Sequence, residues 1–175
     1  MIIKKFKIEG SYVFELDKFQ DERGFFARAW DKQKLKNYGI NANLVHCNLS
    51  FSHKKGTFHG LHYQISPLQE EKLVRCVRGE IYDVMVDLRK KSKTFKKWAG
   101  LKMTQENRKS LFVPKGCAHG FVTLKNNTEV FYQNTQKFNS TYERGIRWND
   151  PSFSIKWPIK PKIFSDKDNS WKNFI

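Results

Sequence analysis

"KLVRCVRGEIYDVMVDL", residues 72–88, decides the fold. Two runs rich in Val, Ile, Leu and Tyr, 72–77 and 80–88, meet at Arg78-Gly79. β-Branched and aromatic residues favour strands, and residues tolerant of positive φ favour a tight turn, so the stretch reads as two strands joined as a hairpin. Side chains alternate across a strand, which splits the second run into two faces. Tyr82, Val84, Val86 and Leu88 make one; Ile81, Asp83, Met85 and Asp87 make the other. Carboxylates on that second face line a polar cavity or, as is commoner, point to solvent.

The same signature recurs along the chain. "SYVFEL" (11–16), "KSLFVP" (109–114), "GFVTL" (120–124) and "EVFYQNT" (129–135) read as strands, with Lys115-Gly116 and Asn126-Asn127 as further hairpin turns. One segment, "DKQKLKNYG" (31–39), has a helical pattern: Asp31 caps it, Leu35 and Tyr38 share a face, and Gly39 stops it. Many short strands with tight turns and almost no helix imply an all-β sandwich or barrel. No repeat or linker divides the chain, so a single domain over 1–175 is expected. The tail after Trp157, with Pro158 and Pro161, is expected to be extended and to wrap over the body.

Composition narrows the function classes. The chain of 175 residues is 39% hydrophobic with 15 Phe, 6 Tyr and 5 Trp, enough large apolar surface for a core. "MIIKKFKIEG" lacks the apolar stretch of a signal peptide, and no run reaches the ~20 apolar residues of a membrane span, so no membrane partner is expected. Three cysteines, Cys47, Cys76 and Cys117, without CxxC spacing fit reduced thiols in a cytoplasm. The net charge of +16 invites a nucleic-acid reading. However, the lysines are scattered from Lys4 to Lys172 with carboxylates between them, as on a solvated surface, so no nucleic-acid partner is expected. A positive field of this kind suits a small polyanion.

Several residues have the chemistry for proton transfer. "KGTFHGLHYQ" (55–64) carries His59 and His62; Lys72, His119, Tyr132 and the Asp83/Asp87 pair add ammonium, imidazole, phenol and carboxylate. Each alone has an ordinary explanation in packing or solvation. A metal site on a β-barrel usually uses His-x-His, which sets both rings on one face of a strand. The His59-x-x-His62 spacing points the rings to opposite faces of a regular strand, so no metal is expected.

Seven segments in register carry a resemblance: "QDERGFFARAW", "CNLSFSHKKGTFHGLHYQ", "EKLVRCVRGEIYDVMVDLR", "KTFKKWAG", "VPKGCAHGF", "ERGIRWNDP" and "FSDKD". Together they resemble the nucleotide-sugar 3,5-epimerases, the dTDP-4-dehydrorhamnose 3,5-epimerase family, over about residues 10–168. The resemblance implies a cupin-type jelly roll (double-stranded β-helix) with one or two short helices. It also implies a homodimer, no metal or cofactor, and cytoplasmic work in deoxysugar synthesis for surface polysaccharides. Family substrates are 4-keto sugars on a nucleoside diphosphate, whose ketone acidifies the C–H bonds at C3 and C5.

By resemblance His62 is the base, Asp168 orients it, Tyr132 is the acid on the opposite face, and Lys72 stabilises the enolate oxygen with His119 nearby. An ordinary histidine, with a pKa of about 6.5, suits abstraction near neutrality. Arg23, Asn48, Glu143 and Lys167 match substrate-contacting positions, Arg23 and Lys167 as diphosphate cations. The chain departs from the family where His59 stands for Arg, Arg28 for Glu, His46 for Gln and Cys117 for Phe. His59, Arg28 and His46 fall in the substrate-holding set.

Alternatives stay open. The same base and acid serve epimerisation at C3 or C5 alone. Arg28, a pure donor, suits the acceptor N3 of cytosine or the O6/N7 edge of guanine, and hence a CDP- or GDP-linked sugar. A non-enzymatic polyanion-binding module would instead leave His62 and Tyr132 dispensable.

Overall fold

The computed structural model describes residues 1–40 and 43–174. In chain order the strands are β1 (Ile2–Lys5), β2 (Tyr12–Glu15), β3 (Lys18–Asp21) and β4 (Gly24–Ala27). A five-residue helix α1 (Lys32–Lys36) follows, then β5 (His46–Ser52), β6 (Phe58–Gln64), β7 (Lys72–Arg78) and β8 (Glu80–Asp87). The rest are β9 (Trp98–Thr104), β10 (Ser110–Val113), β11 (Cys117–Thr123), β12 (Thr128–Asn134), β13 (Glu143–Gly145) and α2 (Asp166–Ser170).

The strands form a six-stranded sheet in the order β1-β2-β10-β7-β12-β5 and a five-stranded sheet in the order β13-β6-β11-β8-β9, with β3 and β4 as a separate hairpin. All the strand pairings are antiparallel. This is the all-β jelly roll that the sequence implies.

The turns do a different job from the expected one. Arg78-Gly79 leads from β7 in the six-stranded sheet to β8 in the five-stranded one, and Lys115-Gly116 and Asn126-Asn127 likewise join strands of different sheets. None closes a hairpin. The positive φ was legible, at 77° for Gly79 and 51° for Asn127. At Gly79 a Cβ would sit 2.5 Å from Thr128 Oγ1, so the corner is closed to any side chain.

Alternation along the strands builds three apolar layers. Val74, Cys76, Ile81, Met85, Met103, Leu111 and Phe121 meet between the sheets. Leu73 and Phe112 point the other way, where Phe14, Leu35 of α1, Met1 and Ile3 cover the six-stranded sheet. Val84, Val86, Leu61 and Val122 pack on the far side of the five-stranded sheet against Trp148, Trp157, Phe164 and Phe174 of the C-terminal segment. Each large side chain buried in this way contributes roughly 1.5–3 kcal/mol. β8 is thus buried on both faces, and Asp83 and Asp87 share the one that Ile81 and Met85 turn toward the six-stranded sheet, so their solvent-facing reading fails: both are 0% exposed.

The helix reading holds in part. Asp31 caps α1 by accepting from the Lys34 amide, and Leu35 is its buried residue, but the helix ends at Lys36, before Tyr38. The tail wraps as expected, with Thr57 paired to Ile163 and the Trp157 indole donating to Trp148 O at 2.8 Å. It also contains α2, capped by Ser165, which accepts from the Asp168 amide.

Candidate active site

β6 sets the site's central geometry. His62 lies opposite His119 of β11, whereas His59 lies opposite Phe121, so three steps on β6 match two on β11. The extra residue is a bulge, which reverses the alternation of side chains. Gly60 makes it possible: its φ is +131°, and a Cβ there would lie 2.5 Å from Gly120 Cα. Leu61 turns into the outer apolar layer, and His59 and His62 both line one cavity. The expectation that the two rings face opposite ways is therefore overturned.

That cavity, of about 510 Å³, opens between the two sheets and is lined from both. β5 supplies His46, Asn48 and Ser50; β7 supplies Lys72; β12 supplies Tyr132 and Asn134; β6 and β11 supply His59, His62, His119 and Phe121. Glu143 of β13, Lys167 of α2, Glu70 and Phe138 complete the wall. Strand register explains the grouping: Tyr132 pairs with Asn48 on one side and Val74 on the other, and Asn134 with His46 and Lys72.

Charged groups here come in couples. His62 Nε2 is 2.5 Å from Asp168 Oδ1. Burial opposes the Asp168 carboxylate, but the His62 interaction, with help from the Ser165 hydroxyl and the Gly60 amide, outweighs it and holds its pKa below the usual carboxylate value. His119 Nε2 is 2.9 Å from each oxygen of Asp83. Complete burial raises the Asp83 pKa, with His119 and then Lys72 pulling against the rise. Lys72 Nζ is 3.1 Å from Glu70 Oε1, and Lys167 Nζ is 2.8 Å from Glu143 Oε1.

His59 differs from these. Its Nε2 meets a neutral partner, Ser52 Oγ, at 3.0 Å, and its ring stacks on Phe121 with centroids 4.8 Å apart. Burial lowers its pKa, so it is a neutral wall residue near pH 7. Tyr132 shifts the opposite way: burial first, then the Glu70 charge, raises its phenol pKa against a smaller pull from Lys167. A tyrosine held as a phenol is equipped to donate.

Nine of the twelve residues singled out in the sequence line the cavity: His46, Asn48, His59, His62, Lys72, His119, Tyr132, Glu143 and Lys167. Asp168 sits directly behind His62. Arg23 and Arg28 do not reach it within this chain. Arg23 pairs with Asp21 at 2.6 Å and is 85% exposed, and Arg28 pairs with Asp31 at 3.3 Å. His119 stands inside β11. Glu70 and Asn134 were missed as site residues, whereas Asp83, named for its carboxylate, stands buried behind His119. Alternation from Tyr132 points to Asn134, but the run "QEEK" disguises Glu70 as solvated charge. Among the described residues, no three His, Cys, Asp or Glu side chains converge to hold a metal.

A sequence profile described as dTDP-4-dehydrorhamnose 3,5-epimerase matches residues 5–175. The chain belongs to the dTDP-4-dehydrorhamnose 3,5-epimerase family. As a family member it is an isomerase. A relative from Shigella flexneri with the family's name is 41% identical over 176 residues, covering 100% of this chain and 97% of its own. The crystal structure of the Bacillus anthracis epimerase with TDP and PPi bound has a TM-score of 0.92 at 38% identity, covering 99% of this chain and 100% of its own. The Legionella pneumophila epimerase in complex with dTDP-4-keto-L-rhamnose has a TM-score of 0.90 at 36% identity, covering 98% and 92%. The reading as a non-enzymatic polyanion binder falls with this membership.

Proposed function

We propose that this epimerase inverts C3 and C5 of a dTDP-linked 4-keto-6-deoxy sugar, with His62 as base and Tyr132 as acid. The observation that carries the reading is that the two come from facing sheets. His62 projects from β6 and Tyr132 from β12 into the same cavity, so a sugar ring between them meets a base on one face and an acid on the other. With Nε2 committed to Asp168, His62 accepts the carbon-bound proton at Nδ1. The electron pair moves to the ketone oxygen, where Lys72 donates hydrogen bonds to the enolate. Tyr132 returns a proton to the carbon from the opposite face and regains one from solvent, while His62 releases the proton it took to solvent, which restores the enzyme with one centre inverted. The sequence repeats at the second carbon. No cofactor enters any step.

Arg28 gives little support to a CDP- or GDP-linked substrate, because its guanidinium is engaged by Asp31 outside the cavity. We infer a homodimer for a related reason. Both cavity lysines already have carboxylate partners, so among the described residues the cavity offers the diphosphate no lysine free of a carboxylate. The β3–β4 hairpin that carries Arg23 projects exposed Phe19 and Phe26, at 70% and 69%, and Leu49 is 63% exposed on β5. A second copy covering these side chains would bring its Arg23 to the site. Cytoplasmic work fits the three free cysteines, two of which, Cys76 and Cys117, burial pushes up to about 12 and so renders unreactive.

The test is incubation with dTDP-4-keto-6-deoxyglucose in D2O, followed by NMR. Deuterium at C3 and C5 with net inversion is expected, and deuterium at one carbon alone would establish the single-centre reaction instead. Tyr132→Phe should suppress inversion more than exchange, since His62 still returns a proton to its own face. Full inversion by that variant would refute the two-face assignment.

A further inference from the structure

Glu70 is a cavity carboxylate for which the proton-transfer scheme has no use. Its Oε1 meets Lys72 Nζ at 3.1 Å, and its Oε2 accepts from Asn134 Nδ2 at 2.7 Å. The two ion-paired side chains are only 8% and 13% exposed, too dry for a casual surface contact. Asn134 is oriented for this task. An ionised carboxylate only accepts, so the amide must turn its NH2 toward Glu70. Its Oδ1 is then left buried without a donor among the described residues. A stranded acceptor is destabilising, so the orientation is one that the Glu70 contact has to sustain.

The register brings the three groups beside the acid. Asn134 pairs with Lys72, and Tyr132, two residues earlier on the same face of β12, pairs with Val74. We propose that Glu70 is a positioning residue of the proton-transfer site, fixed by Asn134 through one oxygen and anchoring the Lys72 ammonium at the ketone subsite with the other. This rests on the roles given above to Lys72 and Tyr132. Lys72 has three N–H donors, so it can hold Glu70 with one and keep others for the enolate. The same carboxylate bears on Tyr132. Of the influences on that phenol, burial and Glu70 raise its pKa, and Lys167, itself tied to Glu143, lowers it.

Two variants separate reach from charge. Steady-state rates with the dTDP-4-keto sugar should be measured from about pH 6 to about pH 11.5, a range that passes the ordinary tyrosine value toward the raised phenol of Tyr132. Glu70→Gln should lower kcat on the order of tenfold to a hundredfold, the scale of a misplaced catalytic group, with KM near that of the parent. It should also move the basic limb of the profile to lower pH, because Tyr132 loses its negative neighbour, while the acidic limb stays in place. Glu70→Asp keeps the charge and loses the reach, so kcat should fall with the basic limb unmoved. Binding of dTDP and the melting temperature check that each variant is folded. A folded Glu70→Gln enzyme with parental kcat, or with an unmoved basic limb, overturns the proposal. Absence of turnover by the parent enzyme would instead defeat the epimerase reading itself.

Discussion

Replacing Asp168 by Asn tests the link between the C-terminal segment and the chemistry. The substitution keeps the shape and removes the charge. In the parent, Asp168 Oδ1 lies 2.5 Å from His62 Nε2, and the carboxylate is 4% exposed, so water screens the couple poorly. A hydrogen bond to a charged group contributes about 1.5–3 kcal/mol, and here it strengthens as His62 becomes imidazolium in the transition state. At about 1.4 kcal/mol per factor of ten, Asp168→Asn should cut kcat by roughly 10- to 100-fold. KM should change little, because Asp168 stands behind the ring rather than against the sugar. Deuterium incorporation at C3 and C5, followed by NMR, reads the loss directly. Both carbons should slow by the same factor, since one base serves both. A folded Asp168→Asn variant within about twofold of the parent would refute the dyad, and unequal slowing at the two carbons would refute the single base.

Three further outcomes are expected. Gly60→Ala forces a Cβ to 2.5 Å from Gly120 Cα at a φ of +131°. Strain and overpacking should destabilise by about 3 kcal/mol, or roughly 6–12 °C in melting temperature, and an unchanged Tm would mean that β6 and β11 can separate without penalty. Asp87 is held near pKa about 2: burial opposes its charge, but bonds from Arg89, Ser92 and Thr94 prevail. Its contribution of about 2 kcal/mol is present above the ordinary value of 3.8 and lost as pH falls toward about 2. Urea titrations should show Asp87→Asn less stable by that amount near neutrality, with the gap closing on acidification; a gap independent of pH would contradict the linkage. EDTA should leave turnover intact, because His62 and His119 are engaged by carboxylates and His59 by Ser52. Loss of activity that zinc restores would make His59 and His62, now known to share a wall, ligands after all.

The strands were legible because Val, Ile, Phe and Tyr mark them regardless of partner. Which strand pairs with which was not. Gly79, Gly116 and Asn127 announce positive φ in the sequence, but a corner between sheets and a hairpin within one need the same backbone conformation. The site followed the same division. Residue types and motif order picked out His62, Tyr132, Lys72 and Asp168, whereas placement depended on non-local events. One inserted residue at Gly60 swings His59 onto the wall that alternation denied it. The six-stranded sheet, assembled from strands scattered between Ile2 and Asn134, covers the face of β8 that carries Ile81 and Met85 and so leaves Asp83 wholly enclosed. Glu70 is invisible in "QEEK" because only the fold says which of two adjacent glutamates turns inward.

The placement of Asp168 on α2 also has a consequence in time. Every strand of both sheets precedes it in the chain, so during synthesis the two sheets can close before the carboxylate that pairs with His62 has been made. A product that stops after Phe164 would retain the Thr57–Ile163 pairing and the packing of Phe164 on Phe58, and with them every cavity-lining residue but Lys167. Without the Asp168 carboxylate it is expected to turn over more slowly by at least the roughly 10- to 100-fold worked out for Asp168→Asn. Full competence in this enzyme is therefore conferred only once α2 has been made, and a product short of that helix is a slower epimerase whose sheets are already in place.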